Sequence, residues 1–138
     1  MGHRFFDHTG DFGAELFAED EPGIYAAAGA ALSALLLDDA SRIEPKERRA
    51  LEVTGIDEAD LLVALGNELL FLFETEGFLC AGLEEVTPGG DHLQAVAVGE
   101  PFDPERHVIA RPMKAVTHHG AEVRESPDGW TARLIFDL

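Results

Sequence analysis

Three carboxylates are the groups of this sequence best suited to bind a cation. Asp11 lies in segment 8–13, where two glycines permit tight backbone turns that bring polar groups together. Asp137 is followed by Leu138, whose α-carboxylate adds a second negative charge beside the first. If the loop around Asp11 meets the last strand, the carboxylates converge and form an all-oxygen site of the kind that binds Ca²⁺ or Mg²⁺. Alternatively, Asp11 is an ordinary turn residue, and the Asp137 side chain and the Leu138 α-carboxylate are two solvated charges at a terminus. The spacing of the residues alone favours this alternative.

A second polar segment, 114–119, combines a lysine with two adjacent histidines. Lys114 is one of only two lysines in the chain. Successive residues of a strand point to opposite faces of a sheet, so His118 and His119 cannot simply bind one metal together. The other histidines lack the spacing of a zinc site. Hydrogen-bonded or exposed histidines are therefore the favoured interpretation.

Sequence patterns of several enzyme classes are absent. No glycine-rich phosphate loop opens a helix, and the G-x-S-x-G, H-E-x-x-H and C-x-x-C patterns do not occur. The single cysteine, Cys80, lies in an apolar stretch, so we expect it to be buried. We therefore expect a protein that is not itself an enzyme. The alternative is a small metal-dependent enzyme using Asp11 and Asp137 with His8 as base, which would need a substrate pocket beside the metal.

The charge of the chain restricts its partners. The sequence has 27 Asp and Glu against 10 Lys and Arg, a net charge of −17 at pH 7. Such a charge repels nucleic acid and favours cations or a basic protein partner, although a solvated acidic surface explains most of the carboxylates equally well. No apolar run approaches the roughly 18–20 residues that cross a bilayer, and the first residues do not form a signal peptide. We expect a cytoplasmic protein with little direct nucleic-acid binding and no membrane association.

Two segments with helical periodicity must help to position these groups. The first, 22–37, carries an apolar stripe and follows Asp20 and Glu21, which suit the positive end of a helix. The second, 58–76, follows Asp57, a suitable N-cap, and stops before Gly77.

The remaining sequence predicts short β-strands. Turn sequences at 88–91 and 126–129 each predict a hairpin. The strand candidates are 4–7, 14–18, 49–54, 79–86, 93–98, 113–124 and 130–136. Helices separated by hairpins predict an α+β fold, a single domain over residues 1–138 with a largely antiparallel sheet and two helices packed on one face.

Five segments, in this order, resemble the archease family along nearly the whole chain. Segment 8–13 is similar to the family's HTAD-I-G loop, and Leu61-Leu62 with segment 65–70 is similar to its LL…LNELL helix. The others are Gly99-Glu100, segment 114–119, and an aliphatic last strand followed by Asp and one apolar residue. Two departures from the family pattern are Gly10, where Ala is usual, and Gly66, where Trp is frequent.

This resemblance implies an accessory protein of RtcB-type RNA ligases, which join tRNA halves after intron removal. Such a protein promotes guanylylation of the ligase, sustains its multiple turnover and broadens its use of NTPs. The family's divalent cation site, which binds Ca²⁺, carries over onto Asp11, Asp137 and the α-carboxylate of Leu138. Glu68 and Lys114 match further motif positions and are candidate contacts with the partner. A chaperone-like binding module that acts without a ligase stays open as an alternative.

Overall fold

The computed structural model describes residues 1–8 and 11–138, with the backbone alone for His8. Over these residues the chain forms two helices and seven strands. The helices are α1 (Glu21–Leu36) and α2 (Glu58–Glu76). The strands are β1 (Gly2–His8), β2 (Asp11–Ala18), β3 (Glu47–Thr54), β4 (Phe78–Pro88), β5 (His92–Pro101), β6 (Ala115–Ser126) and β7 (Gly129–Asp137). Neither helix has the length and apolar character needed to cross a membrane.

Both helices begin at an aspartate cap. The Asp20 carboxylate accepts a hydrogen bond from the N–H of Gly23 (2.9 Å), and Asp57 accepts one from the N–H of Asp60 (2.9 Å). Each bond satisfies one of the N–H groups that have no partner within the first turn of a helix. α2 ends at Gly77, which has a left-handed φ of 68° that glycine adopts without steric cost. The predicted bounds of α2 are confirmed, and α1 is displaced by one residue.

The strands pair antiparallel throughout the described residues and form two sheets. The first sheet has the order β1-β2-β7-β6, and the second has the order β3-β5-β4. The two predicted hairpins are confirmed as β4–β5 and β6–β7. β7, the last strand, inserts between β2 and β6, so the two ends of the chain lie in one sheet.

The core lies where the helices pack against the strands. Both helices contact both sheets, and the buried residues of each helix cover more than half of its circumference. The predicted α+β class with two helices is confirmed. The antiparallel strands form two sheets, where the sequence led us to expect one, because each helix has a wider apolar surface than one sheet face covers.

Along the strands of the first sheet, successive side chains point alternately towards the core and towards the surface. Ala14, Leu16, Leu134 and Phe136 project towards the helices and are buried. The intervening residues of β2 and β7 belong to the opposite face, which is called the outer face below. The helices therefore cover one face of this sheet, as predicted.

Candidate functional site

The register of the first sheet brings the two candidate aspartates onto neighbouring strands. Phe12 of β2 pairs with Phe136 of β7, and the pairing continues with Gly13 opposite Ile135. One step beyond Phe12 and Phe136, the same antiparallel register sets Asp11 beside Asp137. Both aspartates occupy outer-face positions because residues alternate along a strand. The structure thus brings together two residues that lie at opposite ends of the sequence.

The backbone holds Asp137 from its other side. The N–H of Lys114 donates a hydrogen bond to the Asp137 carbonyl (2.8 Å), and Ala115 pairs with Asp137 in the β6–β7 register. Leu138, one residue further, is 37% exposed. The α-carboxylate of Leu138 therefore follows directly on the end of β7, which pairs with β2 on one side and β6 on the other.

The chemistry of this site suits a hard cation. Carboxylates opposite each other on neighbouring strands repel, and a cation between them removes that repulsion. Within residues 1–8 and 11–138, no three His, Cys, Asp or Glu side chains lie close enough together to hold a metal ion. Asp11 and Asp137 would therefore need further oxygen donors, such as the Leu138 α-carboxylate, to complete a coordination shell. Thr9 and Gly10 of the predicted loop lie outside the described residues.

Of the other two motif residues, Lys114 lies at the same strand end, and Glu68 lies on α2, which packs against β6. The side chain of Asn67 makes two hydrogen bonds of 2.9 Å with the backbone N–H and C=O of Val116. Next to it, the Cα of Gly66 packs so closely on Val116 that an added Cβ would lie 2.7 Å from a methyl carbon. These contacts hold α2 against β6, which begins one residue after Lys114. Among the described residues no ion pair joins Glu68 to Lys114.

His118 is an exposed, hydrogen-bonded histidine, as the sequence predicts. Its Nε2 lies 2.9 Å from Oδ1 of Asp60 in α2. The pKa of Asp60 is lowered, first by the hydrogen bond from the N–H of Ile56 and then by the bond to His118. The prediction for Cys80 is also confirmed, since it is buried and burial raises the pKa of its thiol to about 11.

A buried charged cluster around Glu100 is not predicted from the sequence. Glu100 is only 2% exposed, and its carboxylate accepts two hydrogen bonds from the Arg106 guanidinium, one of them 2.9 Å long. The N–H of Glu44 donates a third bond (2.6 Å), and Nε2 of His107 lies 3.3 Å away. The bonds from Arg106, more than any other contact, hold the pKa of Glu100 at about 2.

His107 extends this cluster into two loops. Its Nδ1 accepts a hydrogen bond from the N–H of Asp103 (2.9 Å), so Nε2 carries the proton and points towards the Arg42 carbonyl (3.0 Å). The cluster thereby ties the loops before β3 and after β5 to the second sheet. The signal for this cluster in the sequence was the spacing of its residues: an arginine follows Glu100 after six residues and a histidine after seven.

The outer surface of the second sheet carries a groove of 460 Å³. Its lining includes Ala50, Glu52, Gln94 and Val96, from two paired strands. This groove belongs to the sheet that does not contain Asp11 and Asp137.

Comparison with known proteins assigns this chain to a family. The model of the Archease protein family (MTH1598/TM1083) matches residues 3–138. The chain therefore belongs to the archease family. It is 34% identical over 137 residues to Protein archease of Pyrococcus abyssi, with 96% of both chains covered. It is 33% identical over 140 residues to Protein archease of Methanothermobacter thermautotrophicus, with 99% of both chains covered.

Solved structures agree with this assignment. The solution structure of Methanobacterium thermoautotrophicum protein 1598 matches with a TM-score of 0.82 at 33% identity and covers 99% of both chains. A crystal structure from Thermotoga maritima, described as an archease and possible chaperone, matches with a TM-score of 0.61 and covers 96% of this chain and 94% of that one. At 15% identity, the second likeness shows the fold alone.

Proposed function

We propose that this protein activates an RtcB-type RNA ligase of tRNA splicing. It promotes guanylylation of the ligase, allows multiple turnover and broadens the ligase's use of NTPs, and it forms no bonds itself. One observation carries the proposal: Asp11 and Asp137 are at opposite ends of the sequence but lie on the paired strands β2 and β7, and the N–H of Lys114 donates a hydrogen bond to the Asp137 carbonyl. Membership of the archease family supports an accessory role.

The proposed cofactor is a divalent cation, Ca²⁺ in the first place. Asp11, Asp137 and the Leu138 α-carboxylate would supply oxygen ligands, which Ca²⁺ prefers. When bound, the cation would neutralise charge where the strands of Asp11 and Asp137 meet. The role of these residues is to hold the end of β7 in one position, so that a partner meets a defined surface.

Glu68 and Lys114 are the proposed contacts of that surface with the ligase. The proposed partner is a protein, because a chain of net charge −17 repels the phosphates of RNA. We place the complex in the cytoplasm, and we expect little direct contact between this protein and nucleic acid.

A GTP-loading assay on the cognate ligase tests the proposal. The ligase is incubated with radiolabelled GTP and its covalently bound label is counted with and without this protein. We expect the protein to increase the rate of labelling at least tenfold. An unchanged rate, with a ligase shown to be active in RNA joining, would contradict the proposal. Asp128→Asn, a change in an exposed turn remote from the strand end, serves as the matched control for Asp11→Asn.

Two alternatives have distinct readouts. A chaperone-like module agrees with the description of the Thermotoga maritima protein as a possible chaperone, and Phe71 of α2, 56% exposed, offers an apolar contact. Suppression of aggregation of several unrelated denatured proteins would favour it. A small metal-dependent enzyme would instead release phosphate from GTP in preparations free of ligase.

A further inference from the structure

The groove on the outer surface of the second sheet has an apolar floor. Ala50 of β3 pairs in register with Val96 of β5, and both belong to the lining of the groove. Their neighbours Leu51 and Ala95 have side chains on the opposite face of the sheet, where they are buried in the core. The pairing of β3 with β5 therefore fixes Ala50 and Val96 on the outer surface, and their methyl groups are the apolar area that a ligand would meet.

Two polar contacts border this floor along the direction of the strands. On one side, Nε2 of Gln94 donates a hydrogen bond to Oε2 of Glu52 (2.9 Å), and these two residues form the next outward-facing pair of β3 and β5. On the other side, Arg48 reaches from β3 over β5 to β4, where it bonds Glu84 (2.6 Å) and Glu85 (2.8 Å). The floor thus lies between carboxylates on two sides.

A bulge in β4 brings both of its glutamates to this surface. The pairing of β4 with β5 is interrupted between Glu84 and Thr87, where two residues of β4 lie opposite one residue of β5. The bulge allows Val86 to pack against the core while Glu84 and Glu85 both remain exposed. Among the described residues Glu85 is the only one other than glycine with a left-handed φ, 52°. This φ is unfavourable for glutamate, so the exposed carboxylate is kept at a cost in backbone energy.

The border of the groove has an excess of negative charge. Glu84 and Glu85 share the guanidinium of Arg48, so this bridge is negative overall. Glu52 adds a further carboxylate, whose hydrogen bond comes from a neutral amide, and within the described parts of the chain it forms no ion pair. Glu52 and Glu85 belong to strands on either side of β5, so their backbones are about 10 Å apart. Two separated negative charges therefore flank an apolar floor.

We propose that this groove binds a basic segment of a protein partner, extended across the sheet, with an apolar residue between two arginines. In an extended segment, alternate residues point to one side, so the pattern Arg-x-apolar-x-Arg sets all three side chains towards the groove. The apolar side chain and the arginine stems pack on Ala50 and Val96, and the guanidinium groups reach Glu52 and Glu85. This contact is separate from the strand end of Asp137, because it lies on the other sheet.

An NMR titration with defined peptides tests the proposal without any ligase. The probe is acetyl-Arg-Ser-Leu-Ser-Arg-amide, added to the isotope-labelled chain in about 0.15 M salt, which screens long-range attraction to an acidic protein. We expect saturable shifts confined to amides of the groove, in segments 50–52, 85–87 and 94–96. The control peptide acetyl-Arg-Ser-Ser-Ser-Arg-amide has the same charge without the apolar side chain, so it should bind about threefold more weakly or less well still.

Variants with equal charge changes identify the carboxylates. Glu52→Gln and Glu85→Asn each remove one charge from the border and should raise the Kd of the probe about threefold or more. Glu74→Gln removes one charge from the exposed surface of α2 and should retain the native Kd. Asparagine adopts a left-handed φ more readily than glutamate does. Glu85→Asn should therefore unfold at the same or a higher urea concentration than the native chain while it binds less probe.

Several results would overturn the proposal. Shifts spread over the acidic surface, with one Kd for all three variants, would show non-specific attraction. Equal binding of the two peptides would show that the floor has no part, and groove amides that do not shift at about 10 mM probe would show that nothing binds there. Spermidine bound at the same amides as tightly as the probe would assign the groove to a small cation. Shifts of these amides when the chain alone is concentrated would assign it to a second copy of the chain.

Discussion

At the scale of single residues, the pair Asp11 and Asp137 is the feature with the clearest chemical consequence. The register of β2 and β7 brings the backbones of the two aspartates to neighbouring positions. A cation bound at the proposed site would balance their charges.

Replacing one of these aspartates should separate metal binding from folding. We expect Asp11→Asn to weaken Ca²⁺ binding at least tenfold, because one of the charged ligands is lost. In the absence of metal the variant should keep the native fold, because Asp11 is the first residue of its strand. Isothermal titration calorimetry and thermal unfolding with EDTA measure the two effects. An Asp11→Asn protein that binds Ca²⁺ as tightly as the Asp128→Asn control would exclude Asp11 as a ligand.

The α-carboxylate of Leu138 can be moved without changing any side chain. Adding three glycines after Leu138 carries the terminal charge away from Asp137, so we expect the affinity for Ca²⁺ to fall about tenfold or more. The control carries the same three glycines before Met1, at the end of the β1–β2 pair remote from Asp11, and keeps the Leu138 carboxylate in place. Equal affinities of the extended and native chains would show that Asp11 and Asp137 act without the terminal carboxylate.

The buried carboxylate of Glu100 predicts a pH dependence of stability. Its pKa is lowered from 4.5 to about 2, first by the hydrogen bonds from Arg106. The folded state therefore binds this proton less readily than the unfolded state does. The resulting stabilisation is fully present above pH 4.5 and is lost as the pH falls towards 2.

Urea denaturation of the native chain and of Glu100→Gln measures this contribution. At neutral pH the variant should be less stable by roughly 2 kcal/mol, because hydrogen bonds to a charged group are lost. Between pH 4.5 and 2 its free energy of unfolding should fall less steeply than that of the native chain. If the free energy of unfolding fell equally steeply with pH in the two proteins, Glu100 would not be the source of the pH dependence.

At the scale of elements, the contact between α2 and β6 positions the strand end that carries the motif residues. β6 is an edge strand, so Val116 has no second strand to pair with, and the Asn67 amide takes that place with two hydrogen bonds. Gly66 permits the helix to approach this closely. The departure from the family pattern at Gly66 therefore has a structural basis in the packing against Val116.

Removing the Asn67 amide should weaken this attachment. We expect Asn67→Ala to reduce the free energy of unfolding by about 1–3 kcal/mol, because two backbone groups of Val116 lose their partner. Hydrogen exchange of the Val116 amide should increase more than exchange of amides in β2. The control Thr75→Ala changes an exposed residue of the same helix and should leave the Val116 amide protected. Unchanged protection of Val116 in Asn67→Ala would show that α2 does not hold β6.

The local sequence predicted where the helices and hairpins lie more completely than it predicted how the strands pair. The caps at Asp20 and Asp57 and the stop at Gly77 set the helices, and turn sequences set two hairpins. The division into two sheets was not predicted, because periodicity records which residues are buried but not which strands pair. The same limit applies to Asp11 and Asp137, whose adjacency depends on β7 pairing with β2. Glu100 was not recognised as buried because its partners, Arg106 and His107, follow it in a loop.

At the scale of the whole molecule, the net charge restricts the partners of this protein. The chain carries a net charge of −17, which favours a basic protein partner and opposes contact with RNA. The strand end with Asp11, Lys114 and Asp137 presents charges of both signs at one place. An accessory protein can use this surface for its partner.

The proposed activity of this protein is to convert a ligase that stops after one reaction into one that turns over. The direct measurement is the number of RNA strands joined per ligase molecule, with RNA and GTP in excess, as this protein is added in increasing amounts. We expect more than one joined strand per ligase with the native chain and with Asp128→Asn, and about one without them or with Asp11→Asn. A count that stays at about one strand per ligase with the native chain, at any ratio of the two proteins, would contradict the claim.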